Sequence, residues 1–292
     1  MNLFWLSCAN FNNTSTVWQA DGVSWSCTQS ISVPKIQESV LKPSCFQLAL
    51  TLISLGMQSL SVHAAEVTVA VAANFSAPMK VIARQFQRET GHQLRLSFGS
   101  TGQFYAQIKH GAPFAILLAA DEGTPQKIEQ DGWGVPESRF TYAVGRLALW
   151  SRMPGLVDGD GAILKSGAVD KIAIANPKLA PYGAAAVEVI RKLGLSDALS
   201  SKIVEGASIG QAFQFVASGN ADVGFVALSQ VYENGQIKQG SAWIIPTEMY
   251  QPIKQDAILL KTGLDNPAAV ALMRFLQGHS ARSVMRSFGY AH

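Results

Sequence analysis

Two short apolar runs, each followed at once by small polar residues, constrain the fold of this chain most. Residues 67–72 read VTVAVA and residues 94–98 read LRLSF, which is the pattern of β-strands. The first run breaks into Ala-Asn-Phe-Ser at 73–76 and the second into Gly-Ser-Thr-Gly at 99–102, residues that open helices. In an open α/β sheet, ligands bind where strands end and helix N-termini point, because those termini carry unpaired N–H groups and a positive dipole end. Two such ends in one half-domain predict an anion-binding site.

Strand-like and helix-like patterns alternate along the rest of the chain. Segment 77–90 shows the helical period, since Met79, Ile82 and Phe86 fall on one face while Lys80 and Arg84 fall on the other. Such alternation predicts a chain of βαβ units and hence an α/β fold. We expect strands at 67–72, 93–98, 114–119, 141–150, 171–175, 222–226 and 257–260, and helices at 77–90, 101–110, 124–131, 183–193, 209–218 and 267–277.

The composition excludes several classes of partner. With 292 residues, of which 48% are hydrophobic and 15% charged, the chain has the composition of a globular protein of about two domains. The formal net charge is only +3, and lysines and arginines occur no more densely than in isolated pairs. No basic patch therefore predicts nucleic-acid binding or attachment to an anionic membrane.

Residues 1–64 differ from the rest and predict an exported protein. Lys35 and Lys42 precede an apolar segment at 46–62, and Val62-His63-Ala64 places small residues at the positions that signal peptidase reads. We therefore expect a signal peptide cleaved after Ala64 and a periplasmic mature chain that begins at Ala65. A membrane anchor is the alternative, but about 17 residues interrupted by polar side chains are short for a span.

Residues 1–34 contain a single charged residue, Asp21, ahead of the basic segment that starts at Lys35. A signal peptide ordinarily starts with its basic segment, so we interpret 1–34 as lying upstream of the natural translation start, near Val33 or Val40. The cysteines all precede the expected cleavage site, so the mature chain would have no disulfide and no cysteine nucleophile. They are Cys8, Cys27 and Cys45.

Six segments of the mature chain carry a family resemblance through their order and spacing. They are VAVAANFSAPM at 69–79, RLSFGSTGQFYAQIKHGAPF at 95–114, LLAAD at 117–121, IANPKLAPYGAAAVEVI at 174–190, EGASIGQAFQFVASGNADVGFVALS at 205–229 and FLQGHSARSVMRSFGY at 275–290. Together they resemble the periplasmic molybdate-binding proteins that serve ABC transporters, a branch of the bilobal periplasmic binding proteins.

The resemblance implies a bilobal type II periplasmic binding protein fold, with two α/β lobes joined by a hinge of two chain crossings. We expect one lobe to comprise residues 65–143 plus 246–292 and the other to comprise 144–245. The resemblance also implies a solute-binding protein, not an enzyme, that captures molybdate or tungstate and delivers it to the membrane permease of an ABC transporter. We expect it to act as a monomer and without a cofactor.

The resemblance further implies which residues bind the oxyanion. One position departs from the family: where several members place a tyrosine whose hydroxyl touches the anion, this chain has Ala227, and Tyr182 is the expected substitute. Ile209 is expected to contribute only its backbone. The family's oxyanion-binding positions fall on Ala73, Asn74, Ser100, Thr101, Tyr182 and Ile209.

These residue types suit a tetrahedral dianion. Molybdate and tungstate carry no proton near neutral pH, so their site should present hydrogen-bond donors and no carboxylate. Amide and hydroxyl side chains together with backbone N–H groups at converging helix N-termini meet that requirement without a lysine or an arginine. Other roles stay open, because Asn74 and Ser100 equally suit helix N-caps, Tyr182 suits packing, and Ile209 suits the core.

Other function classes have weaker support in the sequence. The same fold can bind sulfate, phosphate, iron(III) or a small organic acid, but a site of donors alone argues against a ligand that carries its own proton. An enzyme on a related fold would need a nucleophile–base pair, and neither that pair nor a P-loop or dinucleotide-binding motif occurs. The histidines of the mature chain are scattered in polar surroundings, so we expect no cation site.

Overall fold

Two five-stranded sheets organise residues 64–291, the part of the chain that this computed structural model describes. The predicted signal peptide, the segment before it and the three cysteines lie outside the described residues. None of the helices in the described part combines the length and apolar character needed to cross a membrane.

The elements follow in chain order. The strands are β1 (Glu66–Ala72), β2 (Gln93–Gly99), β3 (Ile116–Leu118), β4 (Phe140–Gly145), β5 (Leu147–Ser151), β6 (Ile172–Ala175), β7 (Ile203–Gly206), β8 (Val223–Ala227), β9 (Tyr232–Glu233), β10 (Gln236–Ile237), β11 (Ser241–Ile244) and β12 (Ile253–Leu259). The helices are α1 (Ser76–Thr90), α2 (Thr101–Lys109), α3 (Gly123–Gln130), α4 (Pro181–Lys192), α5 (Ser196–Leu199), α6 (Ile209–Ala217), α7 (Leu228–Val231), α8 (Pro267–Gln277) and α9 (His279–Ser287).

The two sheets share one topology, a parallel core with antiparallel strands toward one edge. The first has the order β2-β1-β3-β12-β4, in which β12 runs antiparallel to both neighbours. The second has the order β11-β5-β8-β6-β7, in which β6 pairs in parallel with β7 and β8. We call the part built on the first sheet lobe 1 and the part built on the second lobe 2. The chain passes between them twice, from β4 to β5 and from β11 to β12.

Both faces of the first sheet are covered, which explains its nearly continuous apolar strands. Along β1, successive side chains point to opposite faces. Val69 and Val71 pack with Met79 of α1 on one face, while Ala70 packs with Phe104 of α2 on the other. A helix on each face is the arrangement that βαβ units produce, and it brings the start of each helix to the carboxyl edge of the strands.

The structure confirms the α/β class and most of the predicted elements, with ends displaced by a few residues. The predicted strand at 141–150 is wrong as a single element, because the chain leaves the first sheet at Gly145 and enters the second at Leu147. Both strands are rich in apolar residues and only Arg146 separates them, so the sequence pattern resembles one long strand. Helices α5, α7 and α9 and strands β7, β9, β10 and β11 were not predicted. The lobe boundaries at 143 and 245 stay predictions.

Candidate functional site

A small cavity lies between the lobes, where helix N-termini from both meet. Its lining contains no charged side chain, and it includes all six residues that the sequence predicted for the oxyanion. The lining residues are Ala72, Ala73, Asn74, Gly99, Ser100, Thr101, Ala120, Ala180, Pro181, Tyr182 and Ile209.

Helix starts supply the walls of this cavity. Ala73 and Asn74 form a single 3-10 turn that runs into α1, and Thr101 is the first residue of α2, both in lobe 1. Tyr182 is the second residue of α4 and Ile209 the first of α6, both in lobe 2. The first N–H groups of a helix have no partner within it, and they carry the positive end of the helix dipole. Four helix starts around one cavity therefore favour an anion without any cationic side chain.

Two hydroxyl groups at the start of α2 have hydrogens to donate. Ser100 is the N-cap, as one interpretation of the sequence held: its Oγ accepts from the Gln103 N–H at 3.4 Å, and Gln103 Oε1 accepts from the Ser100 N–H at 3.2 Å. Thr101 Oγ1 accepts from the Ala120 N–H at 3.0 Å. In each case the hydroxyl oxygen acts as the acceptor, so its own hydrogen remains for a ligand in the cavity.

Asn74 is buried and does not cap a helix, so that interpretation is wrong. Helix α1 starts at Ser76 and has no side-chain cap. The Asn74 amide instead donates from Nδ2 to Gln255 Oε1 at 2.8 Å and to the Tyr290 hydroxyl at 3.0 Å. Its backbone oxygen accepts from Ser229 Oγ at 2.7 Å. Asn74 Oδ1 is buried and has no hydrogen-bond partner, an arrangement that costs about 1–3 kcal/mol.

Tyr182 joins the two lobes through its hydroxyl. The residue is 1% exposed, and its hydroxyl accepts from Gln255 Nε2 at 2.9 Å across the lobe boundary. Burial raises the pKa of Tyr182 well above its ordinary value, and burial likewise raises the pKa of Tyr290 to about 12. Both hydroxyls therefore stay neutral and keep a hydrogen to donate throughout the physiological range.

The lobes touch closely on both sides of the cavity, at a glycine in each case. The Gly102 N–H donates to the Leu179 carbonyl of lobe 2 at 3.0 Å, and a Cβ added at Gly102 would lie 3.1 Å from the Leu179 Cα. A Cβ at Gly210 would lie 3.2 Å from the Ala73 Cβ. Both distances are shorter than ordinary van der Waals contact, so the two glycines allow the lobes to come this close.

Sequence reasoning missed the residues behind the cavity. Gln255, Tyr290 and Ser229 do not line it, yet each bonds to Asn74. Tyr290 and Ser229 occur in segments that carried the family resemblance, which was the available signal. Gln255 had none. Among residues 64–291, no group of three or more His, Cys, Asp or Glu side chains is arranged to hold a metal ion.

Comparisons with known proteins agree with this geometry. Residues 67–291 match the family model described as bacterial extracellular solute-binding protein. The molybdate-binding protein ModA of Azotobacter vinelandii is 57% identical over 247 residues, covering 84% of this chain and 98% of that protein. ModA of Rhodobacter capsulatus is 51% identical over 232 residues, covering 80% and 90%. The solved Azotobacter vinelandii periplasmic molybdate-binding protein superposes with a TM-score of 0.75 at 42% identity, over 77% of this chain and 99% of its own. The chain therefore belongs to the bacterial extracellular solute-binding proteins, and among them to the family of the ModA molybdate-binding proteins.

Proposed function

We propose that this protein captures molybdate or tungstate in the periplasm and delivers it to an ABC transporter. The observation that carries the proposal is the uncharged cavity at which four helix starts converge. Backbone N–H groups and the Ser100 and Thr101 hydroxyls can surround a fully ionised tetrahedral anion with donors. The high identity to two ModA proteins, named as molybdate-binding, supports the same ligand.

The absence of a carboxylate from the cavity lining supports an anion without a proton. Phosphate near neutral pH carries hydrogen that needs an acceptor, and a ring of donors leaves that hydrogen unpaired. Sulfate lacks the proton but has shorter bonds to oxygen than molybdate. In a site sized for molybdate, its oxygens would lie too far from some donors for good hydrogen bonds.

Calorimetric titration of the purified chain from residue 65 tests the proposal. Molybdate, tungstate, sulfate and phosphate are titrated in parallel under one buffer condition. We expect molybdate and tungstate to bind more tightly than sulfate by several orders of magnitude, where each tenfold step is about 1.4 kcal/mol. Equal affinity for sulfate and molybdate would contradict the proposed ligand.

The partner that we infer is the membrane permease of an ABC transporter, which would receive the anion from a monomeric binding protein. A purified permease and its ATPase in vesicles, with this protein and molybdate added together, test that inference. We expect ATP hydrolysis to rise only when both are present. A rise in ATP hydrolysis with molybdate alone would contradict delivery of the anion by this protein.

A further inference from the structure

A network of neutral side chains lies directly behind the cavity and joins the two lobes. Gln255 of β12 is its centre: its Oε1 lies 2.8 Å from Asn74 Nδ2 and 3.0 Å from the Tyr142 hydroxyl, and its Nε2 lies 2.9 Å from the Tyr182 hydroxyl. The Tyr290 hydroxyl lies 3.0 Å from Asn74 Nδ2. Gln255 is fully buried and does not line the cavity.

The network sits at the first crossing between the lobes. A Cβ at Gly145, the last residue of β4, would overlap both the Tyr182 hydroxyl and Gln255 Nε2. Since Asn74 and Gln255 belong to lobe 1 and Tyr182 belongs to lobe 2, the contact of Gln255 with the Tyr182 hydroxyl depends on how the lobes are placed.

In the observed arrangement, the Asn74 side chain has no N–H left to donate to an anion. Both hydrogens of Nδ2 are directed to Gln255 and Tyr290, and the remaining atom of the amide, Oδ1, is buried without a partner. Asn74 lines the cavity. If Oδ1 faced the ligand, it would repel a dianion and would accept a hydrogen only from a protonated ligand.

A second hydrogen-bond order gives Asn74 Oδ1 a partner and exchanges only the amide oxygen and nitrogen positions of Asn74 and Gln255. If both amides turn by half a rotation, Gln255 Nε2 donates to Asn74 Oδ1 and to the Tyr142 oxygen, and Gln255 Oε1 accepts from the Tyr182 hydroxyl. Tyr142 then donates to the Ala119 carbonyl, which lies 2.9 Å away. Tyr290 has a single hydroxyl hydrogen, which in this order goes to Asn74 Oδ1 in place of the Asn74 backbone oxygen or Ser229 Oγ, each 3.0 Å away. The Asn74 backbone oxygen keeps its bond from Ser229 Oγ at 2.7 Å. Asn74 Nδ2 then takes the position that Oδ1 holds in the structure, and its hydrogens are free to donate to the ligand.

We propose that Gln255 is a positioning and specificity-determining residue, which turns the Asn74 amide so that its N–H faces a fully ionised oxyanion. This inference rests on the proposed function. With the anion held between the closed lobes, the Tyr182 hydroxyl donates to Gln255 Oε1, the reverse of the direction in the structure, and this directs Nε2 toward Asn74 Oδ1. The orientation of the Asn74 N–H toward the anion thereby depends on closure of the two lobes. Tyr182 acts on the anion through Gln255 and not by a direct hydroxyl contact.

The first test is Gln255→Met, which keeps the length of the side chain and removes both hydrogen-bonding groups. We expect molybdate affinity to fall by about tenfold or more, because Asn74 loses the donor that orients it and a hydrogen bond to a charged ligand weakens. Phosphate affinity should change by less than about threefold, since an Asn74 amide that Gln255 no longer orients can turn Oδ1 to accept the phosphate hydrogen. The ratio of molybdate to phosphate affinity therefore narrows, whereas a purely structural defect lowers both together.

The second test is a double-mutant cycle with Tyr182→Phe. If Tyr182 acts through Gln255, the variant that carries both changes binds molybdate within about twofold of Gln255→Met alone. If the Tyr182 hydroxyl contacts the anion directly, the fold losses in molybdate affinity of the two single variants multiply in the double variant. Ser151→Ala is the control, because it removes a buried hydroxyl bonded to the Asp222 carbonyl in lobe 2, away from the cavity. We expect it to bind molybdate as the unchanged protein does.

The third test observes the amides directly by proton–nitrogen NMR of the side-chain NH2 groups. Asn74→Ala and Gln255→Met identify the two pairs of signals by their loss. We expect molybdate to shift both pairs in the unchanged protein, and to leave the Asn74 pair unshifted in Gln255→Met. If the unchanged protein binds none of the anions, the proposed function fails and this inference with it. If it binds molybdate and Gln255→Met binds equally well, the inference alone is wrong.

Discussion

At the scale of single residues, one hydroxyl has two tasks. Thr101 Oγ1 accepts a hydrogen bond from the Ala120 N–H, which links the segment after β3 to the start of α2. The hydroxyl hydrogen of Thr101 is left to donate into the cavity. The lone pair of this hydroxyl stabilises the fold, and we propose that its hydrogen binds the ligand, so stability and binding would depend on different parts of one group.

Thr101→Val keeps the shape of the side chain and removes the hydroxyl. We expect molybdate to bind about ten- to a hundredfold more weakly, since a hydrogen bond to a charged group is worth about 1.5–3 kcal/mol. The free energy of unfolding should fall by about 1–3 kcal/mol, because the Ala120 N–H loses its acceptor. Calorimetry and urea unfolding measure the two effects. Thr101→Ser restores the hydroxyl and should recover both, and a Thr101→Val protein with normal affinity would show that the anion uses other donors.

The sequence predicted the residues that line the cavity better than the residues that hydrogen-bond to them from outside the lining. Asn74 and Thr101 could be identified because small polar residues follow apolar strands at a helix start, whereas Tyr182 was identified only through the family resemblance. Gln255 could not, because it sits within a buried strand more than 180 positions from Asn74 along the chain. Only the folded arrangement brings the two amides together.

At the scale of elements, the start of α2 presses against lobe 2. Gly102→Ala adds a methyl group 3.1 Å from the Leu179 Cα and from its carbonyl oxygen. We expect the closed arrangement to open by a few tenths of an ångström and molybdate affinity to fall by about tenfold. Gly123→Ala, at the first residue of α3, is the control because nothing lies within 4 Å of its added Cβ. Equal affinities for the two variants would mean that this contact does not limit closure.

A buried carboxylate connects β12 to the residue before β4. Asp256 is 1% exposed; its Oδ2 lies 2.6 Å from Arg139 Nη1 and its Oδ1 accepts from Thr141 Oγ1 at 2.6 Å. Hydrogen bonding to Asp256 raises the pKa of Arg139, so the guanidinium stays charged. The pair holds the strand that carries Gln255 in register at its bulge.

Arg139→Met leaves the Asp256 carboxylate buried without its cation. We expect the free energy of unfolding to fall by about 3 kcal/mol, the low end for such a loss because Arg139 is a third exposed. Arg95→Met removes the exposed pair with Glu66, whose side chains are 67% and 51% exposed, and should cost less than about 1 kcal/mol. Chemical denaturation of both variants measures the difference. Similar losses would show that burial of Asp256 adds nothing.

The fold could be predicted element by element where apolar periodicity was strong, as in α1 and β1. The prediction failed where one expected strand covers both β4 and β5, because both are rich in apolar residues and a single residue, Arg146, separates them. Helix α9 carries many polar residues and begins directly after Gly278, so its pattern is hard to separate from a loop. Its burial against α1 and α8 is a tertiary effect that no local pattern encodes.

At the scale of the whole molecule, two crossings let the lobes move about a hinge, and closure on the anion is the expected response. Small-angle scattering of the chain from residue 65 should show a smaller radius of gyration when molybdate is saturating. Sulfate at the same concentration is the control and should leave the radius nearly unchanged. A radius that molybdate does not alter would mean that the lobes are closed before the anion binds.

The pH dependence of stability follows from three tyrosines buried around the network. Burial raises the pKa of Tyr142 and Tyr182 well above the ordinary value of 10.0, and raises the pKa of Tyr290 to about 12. In the unfolded chain these hydroxyls ionise near pH 10, whereas the folded protein holds their hydrogens. The stability contributed by the neutral form is therefore complete below pH 10 and is lost as pH rises through the folded pKa values.

Thermal unfolding between pH 7 and pH 11.5 measures this effect. Below about pH 9.5 we expect these three hydroxyls to cause little change of the unfolding midpoint with pH. Above about pH 10 we expect the midpoint to fall steeply, because the unfolded state then releases protons that the folded state retains. Tyr290→Phe removes one of the three hydroxyls, so its alkaline decline should be shallower although its stability at pH 7 is lower. Molybdate affinity should stay constant from pH 7 to pH 9, since the cavity lining contains no carboxylate, histidine, lysine or arginine. An affinity that changes tenfold within that interval would place a titrating group in the site and contradict a binding surface built from neutral donors.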